Sequence, residues 1–151
     1  MDKNNGSTVT AILKRITVGV KGLDGALCFF RDYVGMKVVG DTMLSPDYHE
    51  KIWNLTEGTG ARSVRLRHGR QPTQLELVKF DGISCLPIRA PDNTRDYGFY
   101  DLGFVVQNLD SIYGKLRAKG FSSLSEPVNY APFGNLTREV VIIGPEGIPV
   151  V

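Results

Sequence analysis

Ile16-Thr17-Val18-Gly19-Val20-Lys21-Gly22-Leu23-Asp24 and Leu102-Gly103-Phe104-Val105-Val106-Gln107-Asn108-Leu109-Asp110 read alike. In each, apolar residues alternate over five positions and a Leu-Asp pair then opens a helical pattern, so the hydrophobic period changes from 2 to 3.6 at the same place. A strand feeds a helix, twice. The offset of 86 positions from Ile16 to Leu102 also relates Val18 to Phe104, Val20 to Val106, Leu23 to Leu109 and Phe30 to Leu116. A repeat this long points to a duplicated supersecondary module rather than a short solenoid unit.

Working outward, residues 1–10 form a polar tail expected to be flexible. The first module spans 11–80. Its opening strand turns Ile16, Val18 and Val20 one way and Arg15, Thr17 and Gly19 the other, so one sheet face meets a helix and the other is wetter. Leu23, Ala26, Leu27, Phe30, Tyr33 and Val34 make one helical stripe that Gly35 can end in a left-handed cap, with Asp24 in the first turn. Lys37 to Met43 reads as a second strand. Ser45-Pro46 is a helix start, opening an insertion that carries His49 and Trp53. Ala61 to Arg67 and Thr73 to Phe80 read as an antiparallel pair around the His68-Gly69 turn, where His68 is expected to be solvated. Arg62, Arg65 and Arg67 are read as sharing one face of the third strand, where they could hold an anion.

Residues 81–98, rich in Gly, Pro, Asp, Asn and Ser, form a linker, and the second module spans 99–151. Its helix runs from about Asp110 to Lys119 with Gly120 as cap. An extended piece near Ser122 to Val128 follows, then one strong strand over Asn135 to Ile143, a Gly144-Pro145-Glu146-Gly147 turn and a last strand from Ile148. The chain stops at Val151 inside that strand, which leaves open a shortened chain or one half of a longer four-module protein. Each half is thus βαβββ. One helix cannot cover both faces of four strands, so two modules side by side are expected to form a curved mixed sheet with helices outside and a hollow inside, an α+β fold.

Composition excludes several classes. A hydrophobic fraction of 42% and a charged fraction of 23% suit a globular chain of this length. A net charge of +2 with scattered Lys and Arg gives no nucleic-acid footprint. There is no apolar run of membrane length and no leader-like N-terminus, so a cytoplasmic protein is expected. Cys28 and Cys85 have neither CxxC spacing nor a nearby His and read as free thiols.

The motif Leu-Asp-x-Ala-Leu-x-Phe-Phe-Arg-Asp-Tyr-Val-Gly-Met from Leu23 to Met36, with Leu75-Glu76-Leu77-Val78 and Gly144-Pro145-Glu146-Gly147-Ile148-Pro149-Val150, resembles the vicinal oxygen chelate superfamily. That group includes glyoxalase I, bleomycin-resistance proteins and extradiol dioxygenases. Metal-dependent members place a His in the first strand and a Glu in the fourth strand of each module. Carried over, those positions fall on Arg15, Glu76, Asp101 and Val151. Arg15 is a permanent cation and Val151 has no donor atom.

Two readings stay open. Arg15 pairs with Glu76 or Asp101 and replaces the metal's charge, since two buried acids without a cation are strongly disfavoured. Alternatively, Glu76 and Asp101 hold a divalent metal (Mg, Mn, Fe or Zn) with waters and His49. The resemblance implies a lyase, isomerase or dioxygenase acting on a small carbonyl or aromatic metabolite, with Glu76, Asp101 and Arg15 as catalytic candidates and His49, Trp53 and Tyr100 against the substrate, Tyr97 and Phe133 being further aromatic candidates. The competing function is non-catalytic sequestration of a small molecule, as in bleomycin resistance. Either would suit a homodimer.

Overall fold

The structure is a computed structural model that describes residues 12–86, 100–131, 134 and 136–151, with residues 47–49 and 130 described by backbone alone. The N-terminal tail, most of the linker, Tyr97, Phe133 and Asn135 lie outside the described residues. The first half contains β1 (Arg15–Gly19), α1 (Leu23–Leu27), β2 (Lys37–Met43), α2 (Pro46–Trp53), β3 (Gly60–Arg67) and β4 (Gln74–Asp81). Its four strands form one mixed sheet in the order β1-β4-β3-β2, with β1 parallel to β4 and the other pairs antiparallel.

α1 runs directly into a π-helical turn over Cys28–Tyr33, in which the Val34 N–H bonds the Phe29 carbonyl at 3.1 Å. The expected stripe assumed an unbroken 3.6 period and left Phe29 off it. The wider turn brings two sequence neighbours to the same side, and Phe29 and Phe30 are both fully buried. Phe29 packs edge-to-face on Phe30 and on Phe121, each with centroids 5.0 Å apart. Gly35, at φ +83°, ends the segment as expected. Ser45 and Pro46 likewise occupy the N-cap and first turn of α2.

The second half holds α3 (Leu109–Ala118), β5 (Val128–Tyr130), β6 (Thr137–Glu139), β7 (Ile142–Ile143) and β8 (Pro149–Val150). The strong strand expected over Asn135 to Ile143 is split in its described part. β6 pairs with β5, whereas β7 pairs with β8 and, through Ile142, with Ser123, so the chain changes partners around Val140. The parallel bridge Leu102 to Val150 repeats the β1–β4 pairing of Ile16 with Leu75. Asn108, left-handed at φ 58°, caps α3 by accepting the Ser111 N–H on its side chain.

One apolar cluster joins the halves. It contains Val18, Ala26, Phe29, Phe30, Val64, Leu66, Leu75 and Leu77 from the first and Leu102, Leu116, Val140, Ile142 and Val150 from the second. Gly144 sits at its edge, where an added Cβ would stand 3.0 Å from Val150 Cγ2 and 3.1 Å from the Ile148 carbonyl. Gly144→Ala is therefore expected to cost about 1 to 3 kcal/mol in urea unfolding. A neutral substitution would mean that the β7–β8 turn yields freely. Nearby, the Glu146 carboxylate accepts the Lys21 backbone N–H at 2.6 Å and ties the two repeats together at their polar rim.

Candidate functional site

Strand parity sorts the sheet into two chemistries. Ile16, Val18, Val64, Leu66, Leu75 and Leu77 turn toward the helices and enter the core. The opposite face carries, row by row across β1, β4 and β3, Arg15–Gln74–Arg67, Thr17–Glu76–Arg65 and Gly19–Val78–Ser63. Direct cross-strand partners share a face, so these side chains converge. Arg62 does not join them. It sits an odd number of residues from Arg65 and Arg67, and it makes a two-pronged ion pair with Asp41, with Nε to Oδ1 at 2.9 Å and an NH2 nitrogen to Oδ2 at 2.7 Å. The expectation of three arginines on one face thus fails on the period of 2 itself.

Glu76 is the centre of the polar face and is 1% exposed. Thr17 Oγ1 donates to its Oε2 at 2.9 Å and Arg15 Nε lies 3.0 Å from the same oxygen. Ser63 Oγ donates to Oε1 at 2.7 Å and Arg65 Nε does so at 3.2 Å. Burial acts most strongly on this carboxyl and pushes it up. The hydrogen bonds from Ser63, Thr17 and Arg65, with the charge of Arg15, outweigh burial, and the net displacement is below the ordinary glutamate range. Glu76 is a carboxylate with both oxygens engaged.

Above it lies a cavity of about 520 Å³ lined by Val39 to Thr42 of β2, Ser63, Arg65 and Arg67 of β3, and Gln74 of β4. Two features of β2 shape it. A bulge between Val38 and Gly40 inserts Val39, and Gly40, with no side chain, then faces Arg65. A Cβ at Gly40 would meet only Arg65 Cβ, at 3.9 Å. Glu76 is beneath this lining, with Ser63 and Arg65 bonded to it from the cavity wall.

The remaining candidates are placed as follows. Asp101 is half-buried, stands 86 positions after Arg15, and makes no hydrogen bond or ion pair among the described residues. Val151 bonds through its backbone to Leu102 and Phe104, which sets it opposite Gly103 as Glu76 is opposite Thr17. The second copy therefore has Asp101, Gly103 and Val151 where the first has Arg15, Thr17 and Glu76. Trp53 packs edge-to-face on Phe80, on the cavity side of β4, with centroids 5.5 Å apart. Tyr100 is exposed. The His49 side chain lies outside the described residues. His68 is exposed at its turn, and Cys28 and Cys85 are free thiols, the first half-buried. Gln74 was missed by sequence reasoning, although its place beside Glu76 in a strand pairing with β3 was available as a signal.

A divalent cation needs several neutral or anionic donors. The charged neighbours of Glu76 are instead two guanidiniums, and among the described residues no three His, Cys, Asp or Glu side chains come together to hold a metal. This donor set does not fit a resident divalent metal.

No family model matches the sequence, and no curated protein matches it. Solved structures do. A glyoxalase family protein from Bacillus cereus superposes with a TM-score of 0.83 at 19% identity, covering 96% of this chain and 94% of its own. The fold is that of the vicinal oxygen chelate superfamily. Two further solved structures share this fold. The trypanothione-dependent glyoxalase I of Leishmania major matches with a TM-score of 0.63 at 17% identity over 93% of this chain and 84% of its own. YycE of Bacillus subtilis, a protein of unknown function, matches with 0.56 at 23% identity over 90% and 84%. At these identities the likeness is one of fold. Among the described residues no helix is long and apolar enough to cross a membrane.

Proposed function

We propose that this chain binds and sequesters a small molecule in the cleft above Glu76, with the Arg15–Glu76–Arg65 cluster standing where the resemblance puts a metal. The observation that carries this reading is that both Glu76 oxygens are taken up by four donors, two of them permanent cations. A carboxylate so engaged is a poor general base, because accepting a proton means surrendering those bonds. Its work is to position: it fixes Arg65 and Ser63, which line the cavity. A volume of about 520 Å³ falls in the range typical of small-ligand sites. The protein would act in the cytoplasm as a homodimer, which would cover exposed apolar residues such as Val105 and Leu136.

Gly40→Leu tests the reading. A Cβ at Gly40 meets no backbone within 4 Å, so the free protein should keep its Tm within about 2 to 4 °C, the equivalent of 1 kcal/mol in a chain this size. Thermal shift against a panel of aromatic and carbonyl metabolites should then give stabilisation in the parent protein and none in the variant. Equal shifts in both would place the ligand elsewhere and end the proposal. A second reading, a lyase, isomerase or dioxygenase on a small carbonyl or aromatic metabolite, is favoured by the glyoxalase names of the similar structures. Turnover of 2-oxoaldehyde–thiol adducts or catechols that depends on added Mg²⁺, Mn²⁺, Fe²⁺ or Zn²⁺ would establish it instead.

A further inference from the structure

The rim of the cleft holds more positive charge than its own residues neutralise. Lys37, Arg67, Gln74 and Arg15 are successive cross-strand partners from β2 through β3 and β4 to β1. In the next row, Arg65 is already committed to Glu76. These two rows hold Lys37, Arg67 and Arg65 beside one carboxylate, Glu76, which Arg15 also engages. Asp41 also lines the cavity, but it is the register partner of Val64 rather than of a residue in these two rows, and its carboxylate is taken by Arg62. It does not offset the row.

The Lys37, Arg67 and Gln74 side chains make no hydrogen bond or ion pair among the described residues. Lys37 and Arg67 are like charges directly opposite each other, an arrangement that costs stability in a sheet. Uncommitted cationic and amide donors beside a cavity, with Glu76 already engaged by Arg15 and Arg65, leave a positive field that favours an anion.

Resting on the binding role proposed above, we infer that the ligand is a small anion whose carboxylate or phosphate group is gripped by Arg67, with Gln74 and Arg65 alongside and Lys37 adding long-range attraction. Arg67 supplies the planar fork that matches two oxygens of either group. The ligand's remaining atoms lie along the Val39–Thr42 wall, toward the space left by Gly40.

Phenyl phosphate, benzoate and the neutral benzyl alcohol are the probes, titrated into the parent protein, Arg67→Gln and Lys37→Gln by calorimetry and thermal shift at low salt. At about 100 times its Kd, a bound anion should raise Tm by roughly 5 to 10 °C. Arg67→Gln should weaken that anion about 10- to 100-fold, the worth of a hydrogen bond to a charged group. Lys37→Gln should weaken it less and reduce the salt dependence. Because Arg67 is exposed and unpaired among the described residues, the free variant should be no less stable than the parent.

Benzyl alcohol binding as tightly as the anions, or anion affinity unchanged in Arg67→Gln, overturns this inference while leaving a binding cleft in place. If none of the three probes binds, the inference also falls. The metabolite panel with Gly40→Leu then judges the binding role separately.

Discussion

Glu76→Gln lowers the unfolding free energy by about 2 to 4 kcal/mol at neutral pH. Breaking a buried ion pair from one side costs about 3 to 5 kcal/mol, but Arg15 and Arg65 are 33% and 42% exposed, so water screens part of the loss. The amide keeps the shape and reverses the chemistry on one side, since its NH2 must face donors at Thr17 and Arg15 or at Ser63 and Arg65. Urea unfolding measures the difference, and a change below about 0.5 kcal/mol, the range of an unimportant surface site, would contradict the proposed anchoring role.

The same variant carries a pH signature. Folding holds the Glu76 carboxyl below its ordinary value, so its contribution is complete above the unfolded pKa of about 4.3 and is lost as pH falls through the folded value. The gap between parent and variant should therefore be constant near neutrality and close below about pH 4. Asp41 is also held low, by the Arg62 hydrogen bond, but that pair is present in both proteins and cancels in the comparison. A gap that widened with acid would mean that Glu76 is protonated in the folded protein.

Phe29→Ala is expected to cost about 3 to 5 kcal/mol. The ring is fully buried and touches both Phe30 and Phe121, so its removal opens a cavity between the π-helical turn of the first half and the segment that follows α3 in the second. For a chain this size the Tm should fall by roughly 6 to 20 °C, at 2 to 4 °C per kcal/mol. The transition should remain single in calorimetry, because one apolar cluster serves both halves. Two separate transitions would show that the halves hold independent cores.

The internal repeat made the fold readable. Period changes at Leu23 and Leu109 located both helices to within a residue or two, and β2, β3 and β4 fall where alternation put them. Phe29 was hidden because a π-helical turn obeys neither of the two periods used to find the core. The split of the strand around Val140 was hidden because changing partners leaves no mark on alternation. At the candidate site, the resemblance and the charge argument pair Arg15 with either Glu76 or Asp101, and the structure pairs it with Glu76. Thr17, Ser63 and Gln74 were not foreseen, since hydroxyls and amides in strands carry no signal until register sets them beside a carboxylate. Arg62 stands an odd number of residues from Arg65 and Arg67, so the period of 2 alone is enough to put it on the other face.

The shared core has a consequence for biosynthesis. β1 must wait for β4, whose pairing residues begin 59 positions later at Gln74, before it has a parallel neighbour. Phe29 and Phe30 must wait longer still, until Val140 and Val150 have left the ribosome. At about 5 to 20 residues per second, the growing chain carries an uncovered aromatic surface for several seconds. The nascent first half is thus the stage at which chaperones have something to hold.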